Sequence, residues 1–307
     1  MNFADQVCKI AEIKGPLVVG MDPHLELLPP YLLEKWVRER GNNLQALSYC
    51  VMEFGKLVID AVHDVVGFVK FQMAFYELLG IPGLMVLKNL IECAREKKLK
   101  VILDGKRNDI ASTASCYARA YLSGIEHPLE RSIPSFWDID ALTVNPYFGR
   151  DGLAPFFEEA KKVDKGVFVV CRTTNPSAPF LQDEGRDEKV YFKVARLVEE
   201  MGEEMIGDSG FSSAGIVVGA TYPEDLKILR KEFPSLLFLV PGVGAQGGGI
   251  ESLRFAFRED GLGTLVNVSR GILFSYREDG SSDGRGFEKL VRMKSIDYQE
   301  KLRELWR

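Results

Sequence analysis

The run Val101-Ile102-Leu103-Asp104-Gly105-Lys106-Arg107-Asn108-Asp109-Ile110-Ala111-Ser112-Thr113 sets an apolar triplet directly before two carboxylates and a lysine. Val101-Ile102-Leu103 is apolar on both faces, the mark of a strand covered from both sides in a parallel sheet. Asp104 and Lys106 are two residues apart, so on an extended backbone they face the same side. Asp109 stands just beyond, where the strand gives way to a helix signalled by Ser112-Thr113 and the Ala-rich Ala114–Tyr121. A solvated surface turn is the plainer reading of these charges, but it leaves unexplained why a buried strand ends where they begin. Charges gathered at such a strand mouth are costly and are expected where chemistry needs them.

Working outward, eight short apolar runs recur, each ending in polar or glycine residues: Leu17–Asp22, Val65–Gln72, Val101–Lys106, Ala141–Asn145, Val167–Arg172, Gly215–Ala220, Leu237–Gly242 and Leu265–Arg270. Between them lie helix-period segments at Leu44–Val62, Leu84–Lys98, Leu153–Lys162, Glu188–Glu204, Tyr222–Glu232 and Ile250–Arg258. Strand and helix alternating eight times predicts parallel pairing through right-handed crossovers. An open doubly wound sheet and a closed barrel both satisfy that alternation. Functional-looking residues at the C-terminal end of nearly every run favour the barrel, because an open sheet concentrates its site at one switch point. The expected fold is therefore an α/β eight-stranded (β/α)8 TIM barrel, a single domain over residues 1–307. Excursions are expected at 23–43 and 121–139, with a C-terminal extension over 273–307 in which Phe287–Arg307 is helical.

Composition narrows the function classes. The chain has 307 residues, 46% of them hydrophobic, enough for a large core. Its 39 Lys and Arg against 44 Asp and Glu give a net charge of −5, so no global basic field points to nucleic acid, and an anionic ligand must be held by local cations. Five cysteines, at 8, 50, 93, 116 and 171, are odd in number and form no C-x-x-C pair; they read as reduced core thiols of a cytoplasmic protein. The N-terminus lacks a basic segment with an apolar core, and the run Leu236-Leu237-Phe238-Leu239-Val240 stops at Pro241, so neither a secretory signal nor a membrane span is expected. The histidines at 24, 63 and 127 share no ligand spacing, and no metal site is expected.

Further candidates stand at the other strand ends. Lys70 closes a near-continuous apolar run, Gly67-Phe68-Val69-Lys70-Phe71-Gln72, which places it either beside opposite charge or snorkelling to the surface. A barrel sets the second and third strand ends side by side, where Lys70, Asp104, Lys106 and Asp109 can form an alternating array. Such an array satisfies its own charges and keeps Lys106 cationic, able to donate a proton. After the seventh run comes Pro241-Gly242-Val243-Gly244-Ala245-Gln246-Gly247-Gly248-Gly249, and after the eighth Asn267-Val268-Ser269-Arg270-Gly271. Glycines allow close backbone approach, amides at a helix start bind anions, and an arginine forks onto phosphate oxygens. Loops after strands 7 and 8 are the recurring phosphate site of this barrel. Asp22 after the first run suits ribose hydroxyls, and Thr173, Thr174 and Asn175 after the fifth suit a heterocycle edge; turn or cap chemistry is the alternative for both.

Together these residues resemble the orotidine 5′-phosphate decarboxylase family. V-I-L-D-G-K-R-N-D-I-A-S-T-A fits its active-site signature, and Gly-Met-Asp-Pro, Val-Lys-Phe-Gln, the Pro-Gly-x-Gly-Ala-Gln-Gly segment and Val-Ser-Arg-Gly-Ile follow in family order. The resemblance spans roughly residues 12–275, and its length and Arg-Thr-Thr-Asn-Pro segment are similar to the longer bacterial branch. It implies conversion of orotidine 5′-monophosphate (OMP) to UMP and carbon dioxide in pyrimidine biosynthesis, without metal or organic cofactor, in a homodimer with shared active sites. By the same resemblance Lys106 protonates C6, Asp104 sits against the substrate carboxylate, and Lys70 and Asp109 complete the array. Asp22, Lys70 and Asp109 match positions near the ribose, Ile110 and Thr113 match residues lent by a second subunit, and Thr174 matches the pyrimidine edge. Gln246 and Arg270 match the phosphate contacts, with Pro241 and Gln72 completing the substrate-binding set.

Two other functions fit parts of the pattern. A magnesium-dependent sugar-phosphate decarboxylase or lyase of the same barrel group shares D-x-K-x-x-D, but carries an acidic ligand where this chain has Lys70. A catalytically silent nucleotide-binding protein has no use for the intact Lys70, Asp104, Lys106 and Asp109.

Overall fold

The strand ends that carry the charged residues are brought to one face by a closed sheet. The computed structural model describes residues 1–126, 132–243, 249–278 and 283–305. Its strands are β1 (Leu17–Met21), β2 (Phe68–Gln72), β3 (Lys100–Arg107), β4 (Ala141–Val144), β5 (Gly166–Arg172), β6 (Ser212–Val218), β7 (Leu236–Val240) and β8 (Thr264–Val268). They pair in chain order, all parallel, and β8 returns to β1. This is the (β/α)8 TIM barrel, a single domain. Helices α1 (Phe3–Lys14), α2 (Pro30–Arg40), α3 (Leu44–Val62), α4 (Met73–Glu77), α5 (Gly80–Glu96), α6 (Ala111–Ala118), α7 (Gly149–Lys162), α8 (Ala178–Gln182), α9 (Val190–Gly202), α10 (Pro223–Glu232), α11 (Arg270–Leu273) and α12 (Phe287–Glu304) surround it or fill its loops.

Strands β1, β4, β6, β7 and β8 are buried along their whole length, as near-continuous apolar runs require when the barrel core lies inside and helices lie outside. The inward residues Val18, Phe68, Ile102, Phe168, Leu237 and Leu265 form one cluster with Phe3, Ala4, Val7 and Cys8 of α1. Helix α1 thus plugs the N-terminal end of the barrel, and Phe3 meets the Phe168 ring edge-on at 6.1 Å. The sequence reading assigned no element there, although the apolar spacing at 3, 4, 7 and 8 is helical and Asn2 caps the helix by accepting from the Asp5 N–H.

Other expectations need correction. Ile250–Arg258 is not an α-helix but a short 3-10 coil over Glu251–Ala256. The Ala256 carbonyl, which a further helical turn would use, instead accepts from Arg230 Nε at 2.7 Å and Thr264 Oγ1 at 2.6 Å. The helix after β3 becomes a π turn over Arg119–Ser123. Cys8, Cys50 and Cys171 are buried thiols, but Cys93 is half-buried and Cys116 exposed. Helix α6 turns Ala114 and Ala118 inward, which leaves Cys116 on its outer side. Among the described residues no helix is long and apolar enough to cross a membrane.

The 23–43 excursion holds a 3-10 turn at Leu25–Leu27 and α2, while 121–139 is pinned by an Ile125–Ile133 bridge. The C-terminal extension belongs to the body of the protein. Phe287 at the start of α12 is fully buried and stacks on Phe54 of α3 at 5.0 Å. Farther along, Arg292 grips Asp64 at 2.6 Å and holds its carboxyl down at about 2. Replacing Phe287 with alanine should therefore lower unfolding free energy by about 3–5 kcal/mol in urea denaturation. A loss below about 1 kcal/mol, the scale of surface substitutions, would mean that α12 is peripheral.

Candidate active site

Register on the sheet assembles the charge cluster. Gly20 of β1 pairs with Lys70 of β2, and Gln72 of β2 pairs with Asp104 of β3, so the three strand ends deliver their polar side chains to one point. Asp104 Oδ2 accepts from Lys70 Nζ and Gln72 Nε2, both at 3.0 Å. Asp104 Oδ1 accepts from Lys106 Nζ at 2.6 Å and from Thr143 Oγ1 at 2.8 Å. Asp22 lies 3.8 Å from Lys70 Nζ.

Burial is deep for such charged groups: Lys70 is 3% and Asp104 7% exposed. Burial alone would raise the Asp104 carboxyl, but the ammonium groups of Lys70 and Lys106 and the hydrogen bonds from Lys106 and Thr143 outweigh it and hold the group well below the ordinary carboxylate range. Burial alone would likewise lower Lys70, yet the Asp104 and Asp22 carboxylates push it above its ordinary value. The cluster is thus a buried carboxylate between two ammonium groups, with Lys106 reaching outward at 44% side-chain exposure.

A pocket of about 250 Å³ opens on this cluster. Val170, Val217 and Leu239 give it an apolar wall, which lowers the local dielectric and strengthens the electrostatics beside them. On the β7–β8 side it is lined by Pro241, Gly242, Asn267, Ser269 and Arg270. Gly242 adopts φ 95, a left-handed conformation that favours glycine. Among the described residues no carboxylate pairs with the exposed Arg270, whose guanidinium faces a pocket able to take an anion. Gly20 is needed here: a Cβ on it would stand 2.8 Å from Ser269 Cβ and 3.0 Å from Asn267 Oδ1.

The β5 side carries Thr173 and Thr174. Arg172 anchors this loop from a buried position, donating through Nε to Asp225 Oδ2 at 2.9 Å and through Nη2 to Asp183 Oδ2 at 3.2 Å, with Tyr222 3.9 Å away. Gln182 of α8 accepts from the Thr173 N–H at 3.0 Å. Asn175 is not part of the pocket lining; its Oδ1 accepts from the Thr173 hydroxyl at 2.6 Å.

Of the expected site residues, Asp22, Lys70, Gln72, Asp104, Lys106, Thr174, Pro241 and Arg270 all line this pocket. Asp109, Ile110 and Thr113 do not: within one chain Asp109 stays out of the array, and its Oδ1 accepts from the Ile110 N–H at 2.8 Å. Ile110 is 51% exposed and Thr113 is exposed on the first turn of α6. Lys106 has φ 45 within the irregular end of β3, and the strand ends at Arg107, two residues before Asp109. Gln246 lies outside the described residues, as does His127. Thr143 was not singled out from sequence, being a polar residue inside a run otherwise read as core, while Asn267 and Ser269 stood in the segment after the eighth run without a role of their own. Among the described residues no three His, Cys, Asp or Glu side chains converge as a metal site.

The profile of the orotidine 5′-phosphate decarboxylase / HUMPS family matches residues 15–280. The orotidine 5′-phosphate decarboxylase of Rhodopirellula baltica is 42% identical over 308 residues, covering 99% of both chains. That of Caldicellulosiruptor bescii is 40% identical over 304 residues, covering 98% of both. Among solved structures, the OMP decarboxylase of Leishmania donovani superposes with a TM-score of 0.74 at 29% identity, covering 100% of this chain and 99% of the other. With the barrel, the clustered strand ends and relatives of this closeness, the chain belongs to the orotidine 5′-phosphate decarboxylase / HUMPS family and is an enzyme of the carboxy-lyase class.

Proposed function

We propose that the chain decarboxylates OMP to UMP and carbon dioxide in the cytoplasm, with Lys106 as the proton donor to C6 and no cofactor. The observation that carries this reading is the buried Asp104 carboxylate held between Lys70 and Lys106 at the mouth of a pocket whose far side presents Arg270. Arg270 and Gln246 bind the phosphate, Asp22 and Lys70 meet the ribose, and Thr174 reads the pyrimidine edge. Gln72 and Pro241 shape the remainder of the site.

The chemical difficulty is a carbanion at C6 with no conjugated group to spread its charge. As the bond from C6 to the carboxylate breaks, carbon dioxide leaves and the electron pair stays on C6. The fixed ammonium of Lys106 stabilises that charge without reorganising, then gives up its proton to form the C6–H bond and regains one from solvent. Asp104 presses its charge against the substrate carboxylate and holds Lys106 in place. Phosphate binding at Arg270 supplies energy that orders the site remote from the reacting carbon.

Asp109, Ile110 and Thr113 do not line their own pocket, which fits a two-fold dimer in which each chain lends these residues to its partner. Loss of OMP absorbance, followed with and without chelator, tests the reaction: turnover indifferent to chelation supports it, and turnover abolished by chelation favours the magnesium-dependent alternative.

In the same assay Lys106→Ala should lose at least about a hundredfold in kcat while the fold persists by circular dichroism, since an electrostatic contact to the transition state and the proton donor both vanish. Near-normal turnover would remove Lys106 from the mechanism. Arg270→Ala should lower kcat/KM by about 2 kcal/mol, roughly thirtyfold, with part recovered on adding guanidinium; unchanged kinetics would place the phosphate elsewhere. Inactive Lys70→Ala and Asp109→Ala proteins should regain activity on subunit exchange, because a mixed dimer has one site in which both groups are present. With random exchange half the dimers are mixed, so about a quarter of all sites recover. No recovery after exchange verified by mass would restrict Asp109 to its own chain.

A further inference from the structure

Thr143, on the short strand β4, is 1% exposed and is, among the described residues, the one that hydrogen-bonds both to the Asp104 carboxylate and to the backbone of Lys106. Its hydroxyl donates to Asp104 Oδ1 at 2.8 Å and accepts from the Lys106 N–H at 3.0 Å. The backbone explains why that second bond is needed. Pairing of β3 with β4 runs regularly through Leu103↔Leu142 and then slips, so that the next partners are Arg107↔Val144. Within the slip Lys106 adopts φ 45, a left-handed conformation unfavourable for a residue with a side chain. The Lys106 N–H finds its acceptor on the Thr143 side chain. Meanwhile Lys106 Nζ and Thr143 Oγ1 converge on the same carboxylate oxygen.

We infer that Thr143 is a positioning residue that acts through Lys106 and Asp104, clamping the irregular backbone of one and orienting the carboxylate of the other so that the ammonium is held at a fixed place in the pocket. This rests on the decarboxylase reading above. A valine at 143 keeps shape and apolar volume but removes both hydrogen bonds, leaving the Lys106 N–H without its acceptor and Asp104 Oδ1 short of a donor.

The test compares Thr143→Val and Thr143→Ser with the wild-type enzyme for OMP turnover and for exchange of the C6 hydrogen of UMP in deuterated water. Thr143→Val should lower kcat and the exchange rate together, roughly 10- to 100-fold, with KM little changed, as misplacement of a catalytic group away from the binding contacts predicts. Thr143→Ser, which restores the hydroxyl alone, should recover most of both. Wild-type kcat and exchange in Thr143→Val, or a serine variant as impaired as the valine one, would overturn the inference. Should Thr143→Val fail to fold, Thr143→Ala carries the same comparison. A crystal structure of the valine or alanine variant gives a readout independent of turnover: Asp104–Lys106 contact and Lys106 φ unchanged from 2.6 Å and 45 would likewise overturn it. Failure of the wild type itself to turn over OMP would count against the reaction, and the structural comparison would still decide the role of Thr143.

Discussion

The Asp104 carboxylate is the constraint around which this site is organised. Four donors, from Lys70, Gln72, Lys106 and Thr143, converge on its two oxygens and so use its full accepting capacity. Removing any one leaves an oxygen of the buried carboxylate with one donor in place of two, and removing Asp104 itself leaves the buried Lys70 facing Asp22 alone. The deep burial of Lys70 is offset by the Asp104 and Asp22 carboxylates that face it, and the two flanking ammonium groups with the hydrogen bonds from Lys106 and Thr143 hold the Asp104 carboxyl low against its own burial. Such an arrangement fixes charges before any substrate arrives, which is what stabilising a short-lived carbanion requires.

The barrel makes this arrangement possible. Strands β1 to β4 are consecutive in the sheet, so residues distant in sequence reach one carboxylate from neighbouring strand ends. The same closure brings β7 and β8 round to β1, where Gly20 leaves room for Asn267 and Ser269 and sets the Arg270 side of the pocket against the Asp22 side. The pocket and the Asp104 cluster stand at the C-terminal ends of the strands. The opposite end is sealed by α1, whose Phe3 and Val7 fill the barrel mouth. Stability and chemistry are thereby divided between the two ends of one sheet.

Much of this was legible in the sequence because strand ends announce themselves when an apolar run stops at a charge. Lys70, Asp104 and Lys106 were found that way, and the eightfold alternation together with polar residues at nearly every strand end gave the barrel. Thr143 escaped because a threonine inside a short apolar run reads as a β-branched core residue; its role depends on the slip between β3 and β4, which no periodicity encodes. The α-helix expected over Ile250–Arg258 failed because tertiary donors from Arg230 and Thr264 captured its carbonyl. The array expected to include Asp109 is not formed within one chain: Asp109 does not line the pocket, and its Oδ1 accepts from the Ile110 N–H.

The central claim is that this fixed array delivers a proton to a carbanion at C6. Turnover of OMP by the wild-type protein in deuterated water, with chelator present and the product examined by proton NMR, tests it most directly. The account predicts stoichiometric UMP carrying deuterium at C6. Absence of UMP, or UMP retaining protium at C6, would contradict it.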